Sequence, residues 1–297
     1  MADIEDSKMC AEERKLKMLE DQQKVIDRNP FAHLKIDDAS CLDSIEGRQI
    51  CGTCFKSRKF FCYSCCKLVI GEEYVPRIKL PIKIDIIKHK QEIDGKSTSC
   101  HAAIIAPDDV KIYTYPDFPE IQDDEKIVLI FPGKVATSVE DLFGTTANGN
   151  NKTTEKSMTN KLPITRAVFI DSTWHQTKSI YKDQRLKDLP CVILKNRISQ
   201  FWRHQKKSPR WYLATIEAIH QFLVELHINA FGQIENYAIS EESGPLTGVR
   251  TIIKEADLFR PYNGQYDNLL YFFKYMYEKI HTIYDHDKLW AYKRPLI

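Results

Sequence analysis

The sequence predicts a mixed α/β protein in which a small cysteine-rich module precedes one larger layered domain. From about Pro81 onward, apolar runs of strand length alternate with longer helical patterns, as a layered α/β domain requires. Ahead of that region, two Cys-x-x-Cys pairs lie close together in the chain. The 297 residues and 43% hydrophobic content are enough for a substantial core and exclude the disordered and fibrous classes.

The charge distribution indicates a soluble, intracellular protein with no membrane partner. No stretch approaches the roughly 18 consecutive apolar residues of a spanning helix, and the first thirty residues are charged where a signal peptide needs an apolar centre. The 43 basic and 41 acidic side chains leave a net charge of +2, so any nucleic-acid surface must come from local clusters of charge. Nine cysteines without a secretory signal are expected to be reduced thiols.

The chain divides into three regions. Residues 1–46 are expected to form a mobile leader, although the spacing of Leu16, Leu19 and Ile26 permits an amphipathic helix. Residues 47–80 contain the cysteine module, and residues 81–297 form the layered domain. Two polar stretches, near 144–161 and 236–261, interrupt the layered pattern and are predicted to be insertions.

Hydrophobic periodicity places the elements of the layered domain. Strands are expected at 82–87, 111–115, 127–131, 167–170 and 192–194, and helices at 96–106, 173–184, 212–228 and 266–283. In the third helix one apolar stripe is predicted to face the core, and its members are Leu213, Ile216, Ile219, Phe222, Leu223 and Leu226.

The cysteine module has the spacing of a zinc site. Cys51, Cys54, Cys62 and Cys65 form two Cys-x-x-Cys pairs with seven residues between them, and four thiolates suit tetrahedral zinc. Cys66 competes with Cys65 as the fourth ligand. Small buried cysteines or a redox dithiol are the alternatives. Four protein ligands leave the ion no open position, so a structural role is predicted rather than metal catalysis.

An abrupt change from apolar to polar residues marks a candidate site. The apolar run 166–170 is followed by Asp171-Ser172-Thr173-Trp174 and then by a helical pattern, which places Asp171 at the carboxyl end of a strand, where open α/β sheets bind ligands. The alternative is that Asp171 only caps the helix. The run 127–131 likewise ends in Pro132-Gly133, where glycine lets a ligand approach the backbone. The Gly95-Lys96-Ser97-Thr98 stretch imitates a phosphate-binding loop, but that motif needs glycine where Lys90 stands, which excludes a nucleotide-hydrolysing site.

Several motifs occur in the order seen in DTW-domain proteins, and the chain resembles this family from about Cys51 to Tyr277. They are the cysteine module, Lys96-Ser97-Thr98, Phe131-Pro132-Gly133, the name-giving Asp171-Ser172-Thr173-Trp174, Phe201-Trp202-Arg203-His204-Gln205, Ala214-Thr215-Ile216-Glu217-Ala218 and Tyr266-Asp267-Asn268-Leu269-Leu270. Lys90 departs from the pattern because the family usually has proline there, and residues 236–261 look like an insertion.

The resemblance implies both a fold and a reaction. The fold would be a SPOUT-like α/β domain with a knotted carboxyl-terminal region. The reaction would transfer the 3-amino-3-carboxypropyl group of S-adenosylmethionine to N3 of a tRNA uridine, expected to be uridine 20 of the D-loop, and would release methylthioadenosine. We expect the nucleus rather than the cytoplasm. An RNA methyltransferase and a non-catalytic zinc-dependent RNA-binding protein are the alternatives.

The resemblance also suggests roles for individual residues. Asp171 is the candidate general base, or else it holds the amino group or ribose of the donor. The residues expected to shape the donor pocket are Pro132, Gly133, Thr173, Trp174 and Thr215. Glu217 is a candidate partner for the donor's ammonium group, and the alternative is an exposed residue in the first turn of a helix.

One basic segment, residues 195–210, is predicted to contact the RNA. It contains six basic residues and no acidic one, with Phe201 and Trp202 among them, a combination that suits phosphate contact and base stacking. The residues proposed for contact are Lys195, Arg197, Phe201, Trp202, Arg203, Lys206 and Lys207. A solvated loop is the alternative interpretation.

Overall fold

A computed structural model describes residues 11–144, 161–205, 208–235, 237, 258–294 and 296. Residues 145–160 and most of 236–261, the two predicted insertions, lie outside the described residues, as do Lys206 and Lys207. No helix in the described part of the chain is long and apolar enough to cross a membrane.

The described part of the chain begins with helix α1, Ala11–Arg28. The sequence predicted a mobile leader over residues 1–46, and the structure differs at the end of this helix. Asp27 is only 1% exposed and forms an ion pair with Arg210, with Nη1 to Oδ2 at 2.6 Å. Tyr277 donates a hydrogen bond to the Asp27 carbonyl oxygen, and Leu42, further along the leader, is fully buried. The second half of the leader therefore packs against the layered domain.

The cysteine module consists of two short antiparallel hairpins. Strands β1 (Gln49–Ile50) and β2 (Ser57–Arg58) pair around the first Cys-x-x-Cys turn, and β3 (Phe61–Cys62) and β4 (Lys67–Leu68) pair around the second. The residue after each turn, Phe55 and Cys66, has a left-handed backbone with φ of 58° and 52°. Each chain reversal therefore brings its two cysteines together.

A six-stranded parallel sheet forms the centre of the layered domain. Its strands are β5 (Lys83–Lys88), β6 (Val110–Thr114), β7 (Ile127–Ile130), β8 (Thr137–Ser138), β9 (Arg166–Asp171) and β10 (Cys191–Ile193). Their order across the sheet is β6-β5-β9-β7-β10-β8. All five predicted strands are confirmed. The two-residue strand β8 was not predicted because it is too short to show a periodic pattern.

Five further helices connect and cover the strands. They are α2 (Ser99–Ile105), α3 (Trp174–Tyr181), α4 (Gln184–Lys187), α5 (Thr215–Phe231) and α6 (Tyr271–Ile283). The predicted helix 173–184 ends early because Asp183 caps a new helix, its side chain accepting a hydrogen bond from the Arg185 backbone N–H at 3.1 Å. The predicted helix 266–283 begins as a 3₁₀ turn, Asp267–Leu270.

Helix α5 lies in the core of this domain. Of its predicted stripe, Ile216, Ile219, Phe222, Leu223 and Leu226 are fully buried, as expected for the inward face of an amphipathic helix. Phe222 packs edge-on against Phe169 of β9, with ring centroids 5.9 Å apart. This packing holds α5 against the central strand β9.

Candidate functional site

A cavity of about 340 Å³, here called the central cavity, lies where β7, β9 and β10 end and α5 begins. Its apolar lining includes Phe131, Pro132, Ile170, Leu194 and Leu213. Its polar side chains are Ser172, Thr177, Lys195, Asn196, Arg197 and Thr215. A mostly apolar pocket of this size with a few polar groups is typical of a small-molecule site. Its position at the carboxyl ends of parallel strands agrees with the sequence-based prediction.

Asp171, the last residue of β9, lies beside this cavity, between two residues that line it, Ile170 and Ser172. Its side chain is 5% exposed, and each carboxylate oxygen accepts one hydroxyl hydrogen bond. Thr215 Oγ1 donates to Oδ1 at 2.7 Å, and Ser97 Oγ donates to Oδ2 at 2.6 Å. Thr215 lines the central cavity, so one hydrogen bond connects the carboxylate to the cavity wall.

The Asp171 carboxylate makes no helix-capping bond among those described. At the start of α3 it is Thr173 whose backbone N–H donates to Gln176 Oε1, at 3.2 Å. Thr173 is exposed and does not line the central cavity, whereas its neighbour Ser172 does, with its hydroxyl 2.8 Å from that of Thr177. The Trp174 side chain lies outside the described part of the structure, so its predicted role stays a prediction.

Three of the recognised motifs converge on Asp171. Ser97 and Thr98 belong to the Lys-Ser-Thr stretch, and Thr98 Oγ1 accepts a hydrogen bond from the Ile216 backbone N–H at 3.2 Å. This bond ties the stretch to the first turn of α5, which also supplies Thr215 to Asp171. Sequence reasoning recorded Ser97 only as part of a motif, because residues 74 positions apart in the chain carry no sign that they meet.

Pro132 lines the central cavity, and Gly133 packs behind it. A side-chain carbon at position 133 would stand 2.9 Å from the sulfur of Cys191, which is closer than real contacts allow. Glycine is therefore needed for the packing of β10 against the turn after β7. Pro132 thus shapes the pocket by lining it. Gly133 contributes indirectly, because its lack of a side chain lets the backbone of this turn pack against Cys191.

Glu217 is not in the cavity lining. Its side chain is 1% exposed and accepts hydrogen bonds from the Ser199 hydroxyl at 2.6 Å, the Gln200 backbone N–H at 2.7 Å and the Ala214 backbone N–H at 2.9 Å. Both sequence-based interpretations, a donor ligand and an exposed residue, therefore differ from the structure. Glu217 holds the basic segment against the start of α5.

The basic segment, residues 195–210, divides into buried and exposed members. Phe201 is buried and stacks on Phe273 with centroids 6.2 Å apart, so this ring belongs to the core and is not free to stack on a base. Trp202 is half-buried against the same ring, at 5.0 Å. Arg210 is buried in the ion pair with Asp27. Lys195 and Arg203 are exposed, and Arg203 Nη2 donates to the Gly95 carbonyl at 2.9 Å.

Arg197 lines the central cavity and rests on a buried polar pair that sequence reasoning missed. Its Nη1 lies 3.4 Å from His220 Nδ1, and His220 Nε2 lies 2.9 Å from Asp267 Oδ1. Burial lowers the pKa of His220, so the ring is neutral at pH 7 and can accept from Arg197 while donating to Asp267. Asp267 belongs to the Tyr266-Asp267-Asn268 motif. Through Asp267 and His220, this motif therefore orients the Arg197 guanidinium in the central cavity.

Trp211 is a second residue that the sequence analysis missed. It lines the central cavity, is 43% exposed and meets Tyr212 edge-on at 4.5 Å. Its position directly after the basic segment was an available signal. Trp211 offers the exposed aromatic face that Phe201 does not.

The four predicted metal ligands come together. The sulfur atoms of Cys51, Cys54, Cys62 and Cys65 all lie within 4.8 Å of one another, and those of Cys54 and Cys62 are 3.5 Å apart. A tetrahedral zinc ion with bonds of about 2.3 Å places its sulfur ligands about 3.8 Å apart, so this cluster fits one such ion. Cys66 is outside the cluster, and burial raises the pKa of its thiol to about 11. The competition between Cys65 and Cys66 is thus decided for Cys65.

A further cavity of about 530 Å³, here called the module cavity, lies between the cysteine module and the sheet. Its lining includes Tyr63, Cys66, Lys88, Asp94 and Ser97. Lys88 and Asp94 form an ion pair across it. Since Ser97 and Thr215 both donate to Asp171, the carboxylate lies between the module cavity and the central cavity.

Comparison with known proteins agrees with this arrangement. The DTW domain model matches residues 59–281. The chain belongs to the DTW domain family. It is 41% identical over 262 residues to tRNA-uridine aminocarboxypropyltransferase 1 of Mus musculus, covering 79% of this chain and 77% of the mouse protein. It is 37% identical to the proteins of the same name from Xenopus tropicalis, over 284 residues (86% and 87% of the two chains), and Homo sapiens, over 304 residues (91% of each). No solved structure matches the chain significantly.

Proposed function

We propose that this protein is a tRNA-uridine aminocarboxypropyltransferase that uses S-adenosylmethionine as donor. One observation carries the proposal: the Asp171 carboxylate of the DTW signature lies beside a cavity at the carboxyl ends of the strands and binds hydroxyls from two other family motifs. The names of the relatives support the reaction class. The proposed product is 3-(3-amino-3-carboxypropyl)uridine, formed at N3 of D-loop uridine 20, with methylthioadenosine as by-product.

The central cavity is the proposed donor site. Its apolar walls suit an adenine ring, and Arg197 suits the carboxylate at the other end of the donor because a guanidinium binds carboxylates with two parallel hydrogen bonds. The donor's sulfonium supplies three activated carbons, so the position in which the protein holds the donor decides which group is transferred. A carboxylate anchored at Arg197 would fix the aminocarboxypropyl arm.

Asp171 is the proposed general base for the uridine imide proton. Both of its oxygens already accept one hydroxyl hydrogen bond, and a carboxylate oxygen has a second acceptor position. The two hydroxyls therefore hold the group in one orientation while leaving it able to take a proton. The alternative role, binding the donor's amino group, uses the same free acceptor positions.

The exposed part of the basic segment and the neighbouring tryptophan form the proposed tRNA surface. Lys195 and Arg203 would contact phosphates, together with Lys206 and Lys207, and Trp211 would stack on a base at the mouth of the central cavity. A uridine inside folded tRNA must turn outward before its N3 can react, and an exposed ring at the cavity mouth supports such a conformation.

The remaining features of the proposal concern the fold, the metal and the compartment. We assign a SPOUT-like topology with a knotted carboxyl-terminal region to the layered domain, since the parallel sheet and the cavity position are compatible with it. The four-cysteine cluster is the proposed structural zinc site. Nuclear residence is the proposed location.

Mass spectrometry of tRNA nucleosides after incubation with the donor tests the function. The expected result is the aminocarboxypropyl nucleoside together with methylthioadenosine. S-adenosylhomocysteine would instead indicate a methyltransferase, and tRNA binding without any modified nucleoside would indicate a binding protein.

The same assay separates the two roles of Asp171. Asp171→Asn keeps the side-chain shape and removes the charge, so loss of a general base should lower kcat by about 10²–10⁴-fold with nearly unchanged donor affinity. A matching loss of donor affinity would assign Asp171 to donor binding. Asp183→Asn is the matched control, because Asp183 lies outside the cavity lining and pairs with Arg185.

A further inference from the structure

Another cavity, lined mostly by polar residues, is formed by parts of the chain that are distant in sequence from the DTW signature. This tail cavity, of about 450 Å³, is bounded by one side of α1, by Arg210 and by residues of the segment 286–296. Five lysine or arginine side chains and three carboxylates line it, so the lining carries a positive excess. Neither the donor site nor the zinc cluster includes these residues.

Arg294 is a buried cation of this cavity that forms no ion pair among the described residues, and the carboxylate that attracts it, Glu217, acts without direct contact. The Arg294 side chain is 6% exposed. Its Nε donates to the Ala291 carbonyl at 2.9 Å, and Nη1 reaches the Pro209 carbonyl at 3.3 Å and Gln205 Oε1 at 3.4 Å. Nη2 is buried and has no hydrogen-bond partner among the described residues. A buried guanidinium in this state is costly unless an anion binds it.

Arg210, which also lines this cavity, has a second donor without a partner. Both of its terminal nitrogens bind Asp27, at 2.6 and 2.8 Å, but its buried Nε has no partner in the described structure. Arg210 and Arg294 repel each other, and burial together with this repulsion lowers the pKa of Arg294. An anion bound beside both guanidinium groups would reduce this repulsion.

The tail cavity is connected to the donor site by shared residues. A cavity of about 380 Å³ shares Asn196, Arg197 and Trp211 with the central cavity. It also shares Leu296 with the tail cavity. The three cavities therefore follow one another along a surface that includes the basic segment.

We propose that the tail cavity binds a phosphate oxyanion of the tRNA backbone through Arg294 and Arg210. Guanidinium groups suit phosphate because their planar donors match its oxygens. The continuity with the basic segment favours the RNA backbone over a free anion as the source. The identity of the RNA rests on the proposed function, whereas the oxyanion site itself rests on the two arginines.

The full-length, zinc-loaded Arg294→Met variant tests the site, with Lys288→Met as the matched control. Lys288 is an exposed cation of the same region that pairs with Asp285 and does not line the cavity. Arg294→Met should weaken tRNA binding by about tenfold and reduce the slope of log K against log salt by about one. It should keep or raise the melting temperature in phosphate-free buffer, because it removes an unpaired buried charge. Lys288→Met should leave the tRNA affinity, the salt slope and the melting temperature unchanged.

A lower melting temperature with unaltered tRNA affinity and salt slope would show that Arg294 only supports the fold, and the proposal would be abandoned. The melting temperature measured with and without inorganic phosphate, at matched ionic strength, distinguishes a free anion from the RNA backbone as the source of the phosphate. If phosphate stabilises the parent but not Arg294→Met while the tRNA salt slope is the same in both, the site binds a free anion, and the RNA source is refuted. Nucleoside analysis of the same samples tests the proposed reaction independently of the phosphate site. An inactive parent whose tRNA binding still depends on Arg294 would refute the proposed reaction and leave the phosphate site standing.

Discussion

Replacing Asp27 with asparagine should destabilise the protein strongly, although composition predicts a mobile leader around this residue. The Asp27 carboxylate receives two hydrogen bonds from Arg210, one from Gln23 Nε2 at 2.7 Å and one from Gln200 Nε2 at 3.1 Å. Asparagine keeps the size but removes the charge. Arg210 would then be a second unpaired buried cation beside Arg294.

The expected loss follows from the burial of both partners. Asp27 is 1% exposed and Arg210 is 2% exposed, so neither charge is screened by water. Removing one partner of such a pair costs about 3–5 kcal/mol. For a chain of this length, that corresponds to a drop in Tm of roughly 6–10 °C. If α1 detached in the variant, water would reach Arg210 and the buried charge would no longer be unpaired. The loss of stability therefore cannot exceed the free energy with which the leader docks on the layered domain.

Urea unfolding of the zinc-loaded protein measures the loss, and hydrogen exchange over residues 11–28 reports whether α1 detaches. The Asp27→Leu/Arg210→Met double variant is the control, because removing both charges should recover most of the stability lost in Asp27→Leu. A loss below about 1 kcal/mol with rapid exchange across α1 in the parent would refute the docked leader and restore the mobile one.

Two other predictions concern the cysteine module and the core. Cys65→Ser should lose bound zinc and stability together, whereas Cys66→Ser should keep both, because only Cys65 joins the sulfur cluster; metal analysis of the purified variants decides this. Burial lowers the pKa of His101 to about 3, so the stability tied to its neutral form is present above pH 6.5 and declines as the pH falls. Between pH 6.5 and 5 the loss is about 2 kcal/mol, and His101→Phe, measured by urea unfolding at both pH values, should remove that part of the decline. A decline of equal size in the variant would contradict the assignment to His101.

Local patterns were sufficient for the strands, the metal ligands and the position of Asp171. Each of the five predicted strands carries its own apolar run, and the carboxyl-end rule needs only the strand direction. Cys51 and Cys54, like Cys62 and Cys65, are brought together by a turn of four residues, so spacing alone identifies the cluster.

The misassigned residues are those whose environment depends on distant parts of the chain. Arg210 was counted among the basic residues of a segment predicted to contact RNA, but it is buried against Asp27, which lies 183 positions away. Phe201 packs on Phe273 of α6, and Glu217 is enclosed by the loop that includes Ser199. Composition identifies a basic or aromatic residue but does not reveal which side of a loop the tertiary fold buries.

The division of the basic segment explains how it can be both an anchor and a binding surface. Its buried residues Ser199, Phe201 and Arg210 are fixed by Glu217, Phe273 and Asp27, which come from α5, α6 and α1. A loop held at three points loses little further conformational entropy when its exposed residues bind a ligand. Mutations of the anchors should therefore lower stability, whereas mutations of Lys195, Arg203 or Trp211 should change RNA binding and leave stability unchanged. Only the second group can test the RNA surface, because loss of binding in an anchor variant would also follow from local unfolding.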